Sequence, residues 1–73
     1  MTGSREYLTS ENYDSVVGWY EEELGGRKDL VGATVLDEYA TWVYEPSRYD
    51  NGIMVVVTKK TGGAQIKTST YMK

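Results

Sequence analysis

The sequence predicts an α+β domain of two layers, one helix packed on an antiparallel sheet of about four strands, in the order β-α-β-β-β. Three observations carry that expectation. Tyr13, Val16, Val17, Tyr20 and Leu24 recur at the 3.6-residue spacing of one helix face. From Ala33 onward β-branched and aromatic residues dominate instead. Glycine, proline and asparagine clusters separate these runs at hairpin spacing.

Arg5–Thr9, "REYLT", predicts a short first strand. The polar "TSEN" that follows supplies helix-start chemistry, with Asn12 as N-cap and Ser10 as the alternative, because a side-chain oxygen there accepts from a first-turn amide. The helix is expected over Tyr13–Leu24. Gly25 is expected to close it in the left-handed conformation, and Gly18, costing about 1 kcal/mol relative to alanine, to admit a close approach to a strand. "RKDLVG" at Arg27–Gly32 reads as a connector. The stretch Ala33–Glu45 predicts one or two strands, the stronger at Tyr39–Glu45, with an extra one near Thr34–Leu36. In the stronger strand Ala40, Trp42 and Tyr44 point one way, and Tyr39, Thr41 and Val43 the other. Pro46 ends it, and Asp50-Asn51-Gly52 favours a turn with positive φ. Ile53–Lys60 is the clearest strand, Thr61–Gly63 a hairpin loop, and Ala64–Met72 the return strand.

Seventy-three residues make a single domain, residues 1–73, with a thin core. Histidine and cysteine are both absent, which excludes disulfides, cysteine–histidine metal sites and nucleophile–histidine catalysis. Adjacent acids such as Asp37 and Glu38, or the Glu21–Glu23 run, do not face each other as an acid/base pair should. "TGG" lacks the spacing of a phosphate loop. "YDNG" lacks the further acids of a calcium loop. The sequence therefore predicts a non-enzymatic chain with no cofactor and no metal. No apolar run nears the ~20 residues of a membrane span, and "MTGSREYLTS" is too polar for a signal peptide. The compartment stays open.

Charge is unevenly distributed. Residues 1–50 hold eleven acids against four bases, a net −7, and residues 51–73 hold four lysines and no acid, +4. Glu21, Glu22 and Glu23 crowd the last helical turn, where the dipole disfavours carboxylates. Two readings stand: a solvated face offset by Arg27, Lys28 or the hairpin lysines, or an acidic patch that meets a basic partner, including a second copy's Lys59, Lys60 and Lys67. The expected function is a self-associating interaction or accessory domain. Trp42 and Tyr44 are the candidate interface residues on the sheet, and Trp19 flanks the helical stripe; ordinary core burial is the alternative for all three. The alternative from another class is a single-stranded nucleic-acid-binding sheet using tyrosines with Lys59, Lys60 and Lys67. A net charge of −3 argues against nucleic acid. Lysines guarding an edge strand, beside Val55-Val56-Val57, explain the same residues.

The run "YLTSENYDSVVGWYEEEL" followed by "GIMVVVTKKTGGAQIKTS" resembles a small α+β domain of uncharacterised bacterial and archaeal secreted or lipid-anchored proteins. Tyr7, Ser10, Val16, Val17, Trp19, Tyr20 and Leu24 carry the helical part. Ile53, Val55, Val57, Gly62, Gly63 and Ile66 carry the hairpin. The resemblance implies an extracytoplasmic domain and no particular activity. The chain departs from that pattern in having no leader, lipid-attachment cysteine or proline-rich entry strand.

Overall fold

A computed structural model describes residues 3–46 and 52–71. The elements are β1 (Gly3–Thr9), α1 (Tyr13–Leu24), β2 (Leu30–Val35), β3 (Tyr39–Tyr44), β4 (Gly52–Lys60) and β5 (Gly63–Tyr71). All five strands form one antiparallel sheet in the order β1-β5-β4-β3-β2. β1 and β2 therefore run in the same direction at opposite edges, joined by the crossover that contains α1.

This corrects the expected fold class. Of the described residues 57% are strand and 19% helical, a sheet-dominated fold and not a two-layer packing of a helix on four strands. The physical reason is coverage. A 12-residue helix is about 18 Å long and 10 Å across, whereas the axes of five strands span about 19 Å. α1 lies chiefly over β4 and, less, over β5. It shields one patch of one face and leaves the other face of the sheet without a covering element among the described residues.

α1 forms where its signals agree. Asn12 is extended (φ −71°, ψ 156°), and its side-chain oxygen accepts from the Ser15 N–H at 2.8 Å. Tyr13, Val16, Val17 and Leu24 are buried against the sheet. They join Ala40, Trp42, Val55, Val57 and Ala64 in one core, with Tyr20, Leu30, Tyr44 and Ile66 partly buried around it. Trp42 and Val57 are its largest fully buried side chains.

Two glycine expectations change. Gly25 is right-handed (φ −64°), its N–H donating to the Glu21 carbonyl at 2.9 Å, so the helix simply runs out through one more turn. Gly18 is exposed with open space where a Cβ would lie, so it admits no close approach. The positive φ among the described residues belongs to Gly62 (78°), in the tight β4–β5 turn. Beside it, Gly63 is required by close approach, since a Cβ there would collide with the Thr9 carbonyl oxygen of β1. Gly52 begins β4 without a positive φ, and Asp50 and Asn51 lie outside the described residues.

The connector expected at Arg27–Gly32 is also corrected, because β2 already starts at Leu30. Its pairing with β3 shifts between Leu30 and Gly32, leaving Val31 as the extra residue of a bulge. β2 shows no alternation of burial, since Val31 through Val35 are all exposed. A period of two is only visible in a sequence when one face is buried.

Candidate functional site: the uncovered surfaces of the sheet

The residues singled out from the sequence do not converge on one site. Trp42 is 1% exposed, stacked beneath Tyr20 with ring centroids 5.4 Å apart. It is a core residue, inaccessible to a partner of the folded chain. Trp19 is 57% exposed and meets Tyr20 edge-on at 4.9 Å. It lines an open groove with Thr9, Glu11, Val16, Tyr20 and Ile66. Burial, then the neighbouring Tyr44 and Tyr7, raises the Tyr20 hydroxyl above the usual phenol range.

Tyr44 is half-buried, with the Arg27 guanidinium 4.4 Å from its ring centroid. The same guanidinium makes two bonds of 2.7 Å to the Asp29 carboxylate. That pairing raises Arg27 and holds Asp29 below the usual carboxylate range. Arg27 is thus committed to Asp29 and Tyr44 and does not offset the glutamates. Glu21, Glu22 and Glu23 are exposed at the end of α1, and among the described residues no ion pair reaches them.

The lysines separate by strand parity. Lys59 and Lys60 are adjacent in β4 and point to opposite faces. Lys67, paired in register with Val56, stands on the face away from α1, with its Nζ 3.9 Å from Glu6 Oε1. Lys59, Lys60 and Lys67 therefore do not share a face with one set of tyrosines, as a nucleic-acid platform would need.

That second face carries Val43, Met54 and Val56 at its centre, half-buried only by their sheet neighbours. Tyr71 crosses it, its ring lying over Gly52 and its hydroxyl donating to Glu45 Oε2 at 2.9 Å. Burial, then this bond, raises the Tyr71 hydroxyl. Glu6 accepts from the Gln65 side chain at 3.2 Å at the same face's margin.

The extra strand expected near Thr34–Leu36 falls within and just beyond β2, but its start at Leu30 and its exposed apolar edge were not among the candidate surfaces. Val31, Val35 and Leu36 are 61%, 45% and 46% exposed, and Tyr39 across the hairpin is 45% exposed. A signal was present. Leu30–Leu36, "LVGATVL", is uncharged over its whole length and bounded by Arg27-Lys28-Asp29 on one side and Asp37-Glu38 on the other. The edge is held at its far end by the Tyr13 hydroxyl, which donates to the Leu36 carbonyl at 2.7 Å. Burial, then Asp14 and Asp37, raises that hydroxyl.

Among the described residues no cluster of three or more acids is placed to hold a metal, and no helix is long and apolar enough to cross a membrane. No family model, curated protein or solved structure matches the chain.

Proposed function

We propose that this chain is a non-enzymatic interaction domain that associates with a second copy of itself. The observation that carries the reading is the balance of apolar surface. Nine residues form the core, while Tyr7, Leu8, Trp19, Val31, Val35, Leu36 and Tyr39 remain exposed. Single exposed apolar side chains are ordinary, but contiguous ones mark interaction surfaces. Here Val31 and Val35 stand exposed along β2, and Leu36, just beyond the strand, meets Tyr39 across the hairpin, so apolar side chains line both faces of this edge. A chain of 8.2 kDa gains from association what its small core does not supply.

Light scattering behind size exclusion, at about 50 mM and about 500 mM salt, tests this. The expected mass is twice that of the chain at both, because exposed charge pairs contribute little beside apolar and backbone contacts. A monomer mass under both conditions contradicts the reading. A dimer that vanishes at high salt replaces the apolar contact with one between Glu21–Glu23 and the lysines.

A further inference from the structure

Resting on that reading, we infer that β2 is the contact: two copies pair β2 against β2 across a two-fold axis near Ala33, joining two five-stranded sheets into one of ten. Leu36 N–H donates to the Tyr39 carbonyl at 2.9 Å, so Leu36 directs its N–H toward β3, while its carbonyl accepts from the Tyr13 hydroxyl. By the alternation of an antiparallel ladder, Thr34 also directs its N–H toward β3, while Ala33 and Val35 turn theirs away from the sheet. An edge strand in this state is a template for another strand.

β2 lacks the usual guards of such an edge. From Leu30 to Leu36 it has no charge and no proline. Its single bulge lies at Val31, at the start of the strand, and leaves the remainder regular. The other edge is guarded: β1 carries Arg5 and Glu6 side by side, and Glu6 is tied to Lys67 and Gln65.

Charge then selects the occupant. An antiparallel pairing of β2 with itself sets the start of one strand beside the end of the other. Lys28 of each copy comes alongside the Asp37-Glu38 turn of its partner. Asp29, next to Lys28, is already neutralised by Arg27. Among the described residues no ion pair engages Lys28, Asp37 or Glu38 within one chain. The complementary ends are thus used twice in a symmetric pair, which is what an isologous interface requires. Val31 and Val35 of the two copies become neighbours, and the pairing adds about four to six backbone hydrogen bonds.

Sedimentation velocity over a dilution series tests the inference, with circular dichroism checking the fold of each variant. Ala33→Lys places two ammonium groups opposite each other at the axis, and a folded monomer is expected. Lys28→Glu is expected to raise the dimer dissociation constant about tenfold, and Lys28→Glu with Glu38→Lys to restore most of it, because the swap recreates both pairs. Should Ala33→Lys fail to fold, the charge reversal and its rescue decide. A folded Ala33→Lys chain that stays dimeric overturns the β2 contact while self-association stands. A Lys28→Glu chain with unchanged affinity overturns the two-fold at Ala33. A wild-type monomer at every concentration overturns both this contact and self-association.

Discussion

β1 and β2 bound the same sheet, run in the same direction and have nearly the same length, seven and six residues. They solve the edge problem differently. β1 is charged, ion-paired to β5 through Glu6 and Lys67, and sealed at its end where the Thr9 carbonyl abuts Gly63. β2 is uncharged and bulged at its start; both edges are exposed, β1 along Ser4–Leu8 and β2 along Val31–Val35. The difference is one of ownership. β1 is protected by groups of its own chain, whereas the unguarded ladder of β2 fits a partner that brings the same ladder and the complementary charge.

The largest effect should come from the element both edges share. Trp42→Ala removes the stacking partner of Tyr20 and leaves a cavity under α1. A loss of about 3–5 kcal/mol is expected in chemical denaturation, enough to unfold both edges together. Gly63→Ala breaks only the β1 side. Its Cβ would drive against the Thr9 carbonyl, and about 1–3 kcal/mol should be lost, with the dimer mass retained in whatever remains folded.

Tyr13→Phe breaks the β2 side instead. It deletes the bond to the Leu36 carbonyl, at a cost of about 1 kcal/mol, and should weaken association because the end of β2 is no longer held. High pH acts on the same bond. The Tyr13 hydroxyl ionises above its unfolded value of about 10, so its contribution is complete below that pH and is lost as pH rises through the higher folded value. Fluorescence and sedimentation above pH 10 should show dissociation preceding unfolding, and the reverse order contradicts a role for Tyr13 in the edge. The smallest effect belongs to Glu6→Gln. Its pairing is long and exposed, so stability should change by less than about 0.5 kcal/mol, measured by urea denaturation, with no change in mass.

The helix was legible because independent signals coincide on it: the cap at Asn12, the stripe from Tyr13 to Leu24 and the glycines beyond. The strand Ile53–Lys60 and its return were legible because alternation and turn chemistry agree, and the structure extends the first by only Gly52. The parity of Ala40, Trp42 and Tyr44 was also legible, but parity does not say which face a helix will cover. From the sequence Trp42 therefore fits either an interface or ordinary core burial, and the structure makes it the centre of the core. β2 was the hardest element to read, since an edge strand exposed on both faces leaves no periodic trace. What does mark it is the uncharged run between opposite charges, a signal of pairing and not of burial.

Amide hydrogen exchange of Ala33 and Val35, followed residue by residue by NMR at high and low protein concentration, separates a paired β2 from a free one. Both N–H groups turn away from β3, so in a lone chain they exchange as freely as the outward amides of β1. Protection at Ala33 and Val35 is expected to appear at high concentration and to fade on dilution, with the outward amides of β1 exchanging freely throughout. Free exchange at Ala33 and Val35 under conditions where the chain is a dimer would contradict a paired β2.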